Sequence, residues 1–576
     1  MTPGARGSAS RGASALLLSV ALALVLASCA GGPVAGTLQE PGQWTGAPVV
    51  TTRFGAVQGF EDGSDTWVWR AIAYARPPVG ELRWRAPREP VPWGGVRAMR
   101  TFNGGCTQFS PVLAGTIHGS EDCLYLNVWR PRTAETGLPV YVFIHGGGNS
   151  MGAAMMVPDY SGHEVASRSR MVFVSMNYRL GPFGWFTHPA LREGAPAEDA
   201  SGNYGTLDII QALKWIQENI EAFGGDRNDV IVTGESAGGF NVLSLLIAPP
   251  ARGLFQRAMS QSGAAITRGM DEADAMSESV LEKLLVADGR ARTRDDARRL
   301  AAAMPAPRIR EFLRSRTDRA LLRCYTRWSL AMIENPAILR DGVVIPAEGF
   351  GALATGDYAK VPVVLGSNRE ELKLFLLLAG KIPWRSPLYA AAARAGSDRW
   401  KAAGVDELAR RLTSHPEQPP VYVYRFDWGA PDAQGASPLP GTWGARLGAF
   451  HSLEIPFFLG TDTLEGALQT ILFTGGNRPG RKALSFAMMD YAGQFTRTGD
   501  PNRVGSGLPA WTPWTNIAGA DKCMILDARG DVPALSMSPI ELTDRSVMES
   551  ANALPEPVRG QTLEYLAASP LPATVR

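Results

Sequence analysis

The feature that most constrains this chain is the stretch from Asp229 to Asn241, which reads DVIVTGESAGGFN. A short β-branched run ends at Gly234, and after Ser236 the chain enters an apolar run typical of a helix. Glycines two residues before and two after Ser236 permit a turn in which a Cβ would collide with neighbouring backbone. The pattern predicts strand, tight turn and helix, with the Ser236 hydroxyl held clear of the sheet as a nucleophile.

A second glycine-rich stretch, His145 to Gly148, directly follows a strand predicted at Val140 to Ile144. Backbone N–H groups in such a loop can face a ligand, and acyl transfer needs preorganised donors for the oxyanion of its tetrahedral intermediate. We expect these donors to be the N–H groups of Gly147, Gly148 and Ala237. A phosphate-binding loop is the other use of such glycines, but no Gly-Lys-Ser/Thr follows.

A serine nucleophile needs a base, and histidine is the usual base near neutral pH. Among the six histidines, His451 is the candidate by elimination, because the others lie before the serine in loops or beside a Pro-rich turn. The carboxylate that orients it is expected between Ser236 and His451. There a buried strand predicted at Val361 to Leu365 precedes Glu370 and Glu371. The residues alone do not choose between these glutamates.

The predicted strands and helices alternate, which indicates right-handed crossovers and an α/β sheet. A helix is predicted over Leu207 to Phe223, between a strand at Met171 to Met176 and the strand before the serine. Short strands at Val49 to Gln58 and at Trp67 to Ala75 are expected to form a leading hairpin. The charged segment from Arg268 to Met332 has a helical pattern and is expected to be a cap-like insertion.

The N-terminus carries the only compositionally biased tract. Two arginines precede an apolar run from Ala15 to Ala27, which is too short to span a bilayer and is typical of a signal peptide. The run ends in Leu26-Ala27-Ser28-Cys29, which resembles a bacterial lipobox. We expect residues 1–28 to be removed, Cys29 to be acylated and residues 29–46 to tether the protein to the cell envelope. A secreted protein that loses Cys29 with its signal peptide is the alternative.

Composition narrows the possible partners. A net charge of +2, with no basic block interleaved with aromatics, argues against nucleic acid. No His/Cys cluster has the spacing of metal ligands, so neither a metal nor another cofactor is expected. Export implies an oxidising compartment, where a disulfide between Cys106 and Cys123 would staple a turn-rich loop. Cys324 and Cys523 either pair or stay free.

These motifs together resemble the type-B carboxylesterase family, which includes the cholinesterases, bile-salt lipases and bacterial esterases. The resemblance runs from about Phe54 to Trp514. Further ordered matches lie at Glu121 to Asn127, Phe223 to Asp226, Gln261 to Gly263 and Thr498 to Asn502. The resemblance implies one catalytic domain over residues 47–576 with the α/β-hydrolase fold: a central, mostly parallel mixed sheet flanked by helices, with long cap-like insertions.

The resemblance also assigns roles to single residues. The family pattern Gly-x-Asn/Thr-x-Asp-Glu-Gly falls on Gly366 to Leu372 and implies that Glu371 is the catalytic acid. The pattern Gly-x-x-His-Gly-x-Glu falls on Gly448 to Glu454 and supports His451 as the base. Leu372 and Ser452 stand where the family has glycine. We expect these two departures to change the shape of the pocket and not the catalytic chemistry.

The expected activity is hydrolysis of a small-molecule carboxylic ester through an acyl-enzyme, with an uncharged or apolar ester as substrate. In the family the first two cysteines are paired, which implies a Cys106–Cys123 disulfide. In cholinesterases the loop between these two cysteines carries a tryptophan that binds a quaternary ammonium group. Residues 107–122 of this chain contain no tryptophan, so a choline ester is not the expected substrate. Lipase, carbamate, polyester or amide hydrolysis remain alternatives, as does a cholinesterase-like adhesion protein without turnover. The oligomeric state is not predicted.

Overall fold

The computed structural model describes residues 1–2, 36–111, 113, 115–155, 160–329, 331–464 and 466–568. The predicted apolar run of the signal peptide and the predicted acylation site at Cys29 lie outside these ranges. Within them, no helix combines the length and the apolar character needed to cross a membrane.

Strands occur along most of the described chain, and we number them β1 to β20. In order they are Val49–Thr52, Gly55–Gln58, Phe60–Asp62, Thr66–Ala73, Val96–Ala98, Gln108–Phe109, Ile117–His118, Tyr125–Pro131, Leu138–Ile144, Val172–Met176, Gly225–Glu235, Arg257–Gln261, Arg327–Ser329, Met332–Ile333, Val363–Asn368, Val421–Phe426, Cys523–Leu526, Ala528–Arg529, Val532–Pro533 and Ser536–Ser538.

One sheet of eleven described strands organises the molecule, in the order β20-β17-β16-β15-β12-β11-β9-β10-β8-β4-β3. The strands from β17 to β10 in this order pair in parallel, and antiparallel pairs occur only toward the two edges. Because parallel strands need crossover connections that cover both faces, the central strands are buried on both sides. The predicted mixed, mostly parallel sheet is confirmed.

The α-helices, α1 to α19, pack on the two faces of this sheet and on its C-terminal edge. In order they are His163–Ser169, Gly181–Gly184, Pro189–Arg192, Tyr204–Asn219, Ala237–Ile247, Met270–Ala287, Arg294–Ala303, Ala306–Arg314, Asp318–Leu322, Ala352–Thr355, Leu372–Ala379, Pro387–Lys401, Glu407–Leu412, Trp443–Arg446, Ile455–Leu459, Ala467–Leu472, Arg478–Thr498, Asp544–Asn552 and Val558–Ala568.

The strand β9 shows why the predicted apolar runs are central strands. Val140, Val142 and Ile144 join the core beneath α4 and α5, whereas Tyr141 and Phe143 join the core beneath α15 and α17. Successive side chains of a strand point to opposite faces, so a strand covered on both faces must be apolar at every position. The C-terminal ends of the parallel strands β9, β11, β12 and β15 lie along one edge of the sheet.

The segment predicted to be a cap is largely helical. Helices α6 to α9 bury apolar side chains in a cluster of their own, which also contains Met151 and Met332. The C-terminal helices α18 and α19 pack against α12 through Val547, Ala551 and Leu566.

One predicted element is wrong in detail. The run from Val49 to Gln58 is itself a hairpin of β1 and β2 that turns at Arg53 and Phe54, and β4 pairs instead with β3 and β8 in the central sheet. The turn was missed because Phe54, which is fully buried, continues the apolar alternation through it.

Candidate active site

Ser236 occupies a sharp turn between β11 and α5. Its backbone angles are φ 58° and ψ −124°, in a region that L-residues seldom adopt. A Cβ on Gly234 would lie 2.5 Å from the carbonyl carbon of Gly238, and one on Gly238 would lie 2.0 Å from the Ile144 oxygen. The glycines are therefore sterically required, and the turn directs Ser236 toward a cavity at the C-terminal edge of the sheet.

That cavity has a volume of about 250 Å³ and brings together Gly147, Ser236 and His451. Most of its wall is apolar and comes from helix α11, the methionines of the cap cluster and the segment after His451. Leu374, Phe375 and Leu378 are the contribution of α11. A carbonyl group placed beside Ser236 would therefore carry its substituents into largely apolar surroundings.

The imidazole of His451 is buried and held on three sides. Its Nδ1 atom lies 2.6 Å from Oε2 of Glu371, and its ring contacts both Phe375 and Trp400 at centroid distances of 5.0 Å. Its Nε2 atom makes no hydrogen bond within the described part of the chain. The atom that a general base would use thus makes no hydrogen bond, although the Glu235 carboxylate lies 3.3 Å from it.

Glu371 lies in the turn between β15 and α11 and is fully buried. Its Oε1 atom accepts hydrogen bonds from the Asn368 backbone N–H at 2.7 Å and from the Ser262 hydroxyl at 2.6 Å. Because Oε2 is paired with Nδ1 of His451, both carboxylate oxygens of Glu371 have hydrogen-bond partners. Glu370 instead forms an ion pair with Lys373 at 2.6 Å and accepts a hydrogen bond from the Ala449 N–H at 3.2 Å. It therefore connects the turn after β15 to the loop that carries His451.

The glycine loop after β9 meets the turn at Ser236. A Cβ on Gly147 would lie 2.2 Å from the Met151 oxygen, and Gly147 and Gly148 have positive φ angles of 102° and 62°. Among the described residues no hydrogen bond engages the N–H of either glycine. The Ala237 N–H belongs to the first turn of α5, which has no partner within the helix.

The histidine of this loop, His145, has a structural role. It is buried, its ring stacks on Tyr178 at 4.5 Å, and its Nδ1 lies 2.8 Å from the Gly146 oxygen. Burial lowers the pKa of His145 to about 4, so the ring is neutral. Asn241 of α5 donates to Oδ1 of Asn149 at 2.9 Å and so fixes the loop against the helix that follows Ser236.

Two further buried glutamates, Glu235 and Glu454, lie near His451. Oε1 of Glu235 lies 3.3 Å from Nε2 of His451, and the Ser452 hydroxyl donates to the same oxygen at 2.7 Å. Oε1 of Glu454 lies 3.1 Å from Oγ of Ser262. Neither glutamate was predicted to have a role, although Glu235 stands in the Gly-x-Ser-x-Gly motif and Glu454 ends the histidine motif.

The carboxylates control the protonation of this site. Burial disfavours the imidazolium, but Glu235 and Glu371 outweigh burial and raise the pKa of His451 to about 9. Burial also raises the pKa of Glu235 to about 6, against the opposing effect of His451. Burial and the charges of Glu235 and Glu371 raise the pKa of Glu454 to about 8. The surroundings thus favour a positive charge on the imidazole, which a general base acquires during reaction.

Comparison with known proteins decides the family. The model of the carboxylesterase family matches residues 46–383. The chain belongs to the carboxylesterase family. It is 32% identical over 488 residues to the para-nitrobenzyl esterase of Bacillus subtilis (strain 168), covering 80% of this chain and 92% of that one. It is 38% identical over 376 residues to the fumonisin B1 esterase of Sphingopyxis macrogoltabida, covering 64% of this chain and 63% of that one.

Solved structures agree with this membership. A crystal structure of a Geobacillus stearothermophilus carboxylesterase matches with a TM-score of 0.67 and 30% identity, covering 85% of this chain and 98% of that one. The α/β-hydrolase fold predicted from the sequence is confirmed. The protein is a carboxylic ester hydrolase of the serine type.

The cysteines behave as the family implies. Cys106 and Cys123 form a disulfide, which confirms the predicted pair. Cys324 and Cys523 are both buried and free, which answers a question that the sequence left open.

Proposed function

We propose that this carboxylesterase family member hydrolyses uncharged or apolar carboxylic esters with a Ser236–His451–Glu371 triad. The observation that carries the proposal is the His451 imidazole: its Nδ1 is held by Glu371 at 2.6 Å, and it shares one apolar cavity with Ser236. A third group that orients the base, next to a strained nucleophile turn, is the arrangement that nucleophilic catalysis requires.

The reaction begins when Ser236 Oγ attacks the ester carbonyl carbon. The Ser236 proton passes to Nε2 of His451, while the carbonyl π electrons move onto oxygen to give a tetrahedral oxyanion. The N–H groups of Gly147, Gly148 and Ala237 donate to this oxyanion. When the oxyanion collapses, the bond to the alcohol oxygen breaks, and His451 returns the proton to the leaving alcohol.

Water completes the cycle by the same steps. His451 removes a proton from water as the water oxygen attacks the acyl carbon, and a second oxyanion forms in the same place. Collapse breaks the bond to Ser236 Oγ, which regains its proton from His451, and a carboxylic acid leaves. Glu371 keeps the imidazole in the tautomer and orientation that both steps require.

The cavity wall supports an apolar acyl or alcohol group. Leucines of α11, together with Leu468 of α16, present hydrocarbon to the bound ester, and burial of each CH₂ contributes about 0.8 kcal/mol. Two relatives are named as a para-nitrobenzyl esterase and a fumonisin B1 esterase. We expect the rate to rise with acyl length until the cavity is filled.

The proposal includes anchorage to the bacterial envelope through an acylated Cys29, with residues 29–46 as the tether. It is supported by the apolar run of 13 residues and the lipobox-like tetrapeptide that ends at Cys29. A Cys29→Ala variant is expected to leave the membrane fraction and to lose the mass of the acyl chains. Equal membrane retention by the variant would contradict acylation at this residue.

Turnover of p-nitrophenyl esters from acetate to laurate tests the catalytic proposal. We expect wild-type turnover to fall by a factor of about 10⁶ in Ser236→Ala, because loss of a triad nucleophile removes the covalent route. Folded wild-type protein that is inactive across the series would favour a binding protein without turnover. Full activity of Ser236→Ala would mean that the nucleophile is another residue.

A further inference from the structure

Ser452 has an unusual backbone for a serine. Its φ angle is 72°, in the left-handed region that glycine favours, and the family pattern has glycine at this position. The main chain therefore has the shape that the family's glycine provides, yet this chain carries a side chain there. A side chain that is retained at a strained position is expected to make an interaction that offsets the strain.

That interaction is with a buried carboxylate. Oγ of Ser452 donates to Oε1 of Glu235 at 2.7 Å, and the same Oε1 lies 3.3 Å from Nε2 of His451. Ser452 and Glu235 both line the catalytic cavity. One carboxylate oxygen thus connects the hydroxyl of Ser452 to the nitrogen that exchanges the proton of Ser236 in the proposed reaction.

The carboxylate of Glu235 is confined from the other side by the glycine loop. A Cβ on Gly146 would lie 3.0 Å from Oε2 of Glu235 and 2.8 Å from its main-chain oxygen. Glu235 is 1% exposed, so water does not solvate it from the cavity. Among the described side chains, Ser452 alone donates a hydrogen bond to it.

We propose that Ser452 is a positioning residue, whose hydroxyl fixes the carboxylate of Glu235 beside Nε2 of His451 and so sets the pH at which the imidazole can act as base. This inference rests on the proposed function of His451. It concerns the residue of this chain that departs from the family pattern at the catalytic histidine.

The titratable groups around His451 determine the direction in which loss of the Ser452 hydroxyl changes the pKa of His451. Glu235, Glu371 and Glu454 face His451, and the buried hydroxyl of Tyr424 faces the same three carboxylates. Tyr141 faces Tyr424. The Ser452 hydrogen bond lowers the pKa of Glu235 against the larger effect of burial, and the Glu235 charge raises the pKa of His451. Without the hydroxyl, the Glu235 carboxylate is no longer held 3.3 Å from Nε2, so its charge acts on the imidazole from farther away and His451 becomes less basic.

The test compares two variants that both remove the hydroxyl. Ser452→Ala keeps a Cβ in the left-handed backbone, whereas Ser452→Gly restores the family residue and relieves the strain. The readout is kcat/KM for a p-nitrophenyl ester against pH, followed at the isosbestic wavelength of p-nitrophenol. We expect the acid limb of the profile to move to lower pH by about 0.5 to 1 unit in both variants. The plateau rate should fall, since the imidazolium loses a stabilising charge.

The background variant Glu235→Gln separates positioning from structure. In that background there is no carboxylate for the hydroxyl to fix, so we expect Ser452→Gly to cause no further displacement of the acid limb. An acid limb that stays in place in Ser452→Gly would overturn the inference. So would an equal displacement in the Glu235→Gln background. Ser236→Ala, assayed in parallel, tests the proposed nucleophile independently, so failure of one proposal is distinguishable from failure of the other.

Discussion

The Ser262 hydroxyl lies 2.6 Å from Oε1 of Glu371 and 3.1 Å from Oε1 of Glu454, so one side chain links two buried carboxylates. A hydroxyl carries a single hydrogen and can donate only one of these two bonds. The raised pKa of Glu454 is consistent with a proton on that glutamate, which then donates to Ser262 while Ser262 donates to Glu371. Glu371, the proposed acid of the triad, is therefore held by a hydroxyl that also contacts Glu454.

Removal of this hydroxyl should impair catalysis more than binding. In Ser262→Ala, Glu371 keeps only the Asn368 N–H on Oε1, and a hydrogen bond to a charged group worth about 1.5–3 kcal/mol is lost. We expect kcat to fall by a factor of about 10 to 100 with KM little changed. Ser244→Ala is the matched control, because its buried hydroxyl donates only to the Asn241 backbone oxygen. Equal losses of kcat in both variants would contradict the role of Ser262.

The wild-type pH profile should lie on the alkaline side. The pKa of His451 is raised to about 9 by its carboxylate neighbours, and a general base acts only in its deprotonated form. Activity is therefore expected to rise as pH increases through this pKa and to be lost as pH falls below it. The measurement is kcat/KM against pH on the free enzyme. An acid limb at or below the ordinary imidazole pKa of about 6.5 would show that the carboxylates do not stabilise the imidazolium.

A glycine of the histidine loop should tolerate no side chain. A Cβ on Gly448 would lie 1.5 Å from Oε2 of Glu370, and its φ angle is 54°. Gly441 has a similar φ of 58° with no atom within 4 Å of its Cβ position, so Gly441→Ala controls for the backbone strain alone. We expect Gly441→Ala to cost about 1–2 kcal/mol of unfolding free energy with activity retained. Gly448→Ala should cost more and should displace His451, which denaturant unfolding and ester turnover would measure.

The disulfide should stabilise the fold without taking part in the chemistry. Cys106 and Cys123 are separated by 17 positions, and closing a loop of this size contributes about 3 kcal/mol in the chain-entropy model. The Cys106→Ala/Cys123→Ala variant should unfold at lower denaturant while keeping its turnover when folded. A reducing agent should lower the unfolding midpoint of the wild type and leave that of the variant in place. Insensitivity of the wild type to reduction would contradict a stabilising disulfide.

Local sequence determined the nucleophile turn and the central strands. The glycines around Ser236 are forced by contacts within a few residues and with the adjacent strand, and strands buried on both faces are apolar at every position. Such constraints appear directly in the order of residues. The hairpin of β1 and β2 was missed because its turn, at Arg53 and Phe54, contains a buried aromatic and none of the usual turn residues.

Only the tertiary structure decided which carboxylates meet His451. Glu235 and Glu371 come from segments far from His451 in the chain, and their approach depends on how β11, β15 and the histidine loop end at one edge of the sheet. The distinction between Glu370 and Glu371, which the residues alone left open, likewise depends on which side chain points inward from a shared turn. The sequence by itself determined the backbone shapes and the types of residue available for chemistry. The fold decided their distances and their burial, and therefore their charges, because these depend on groups far apart along the chain.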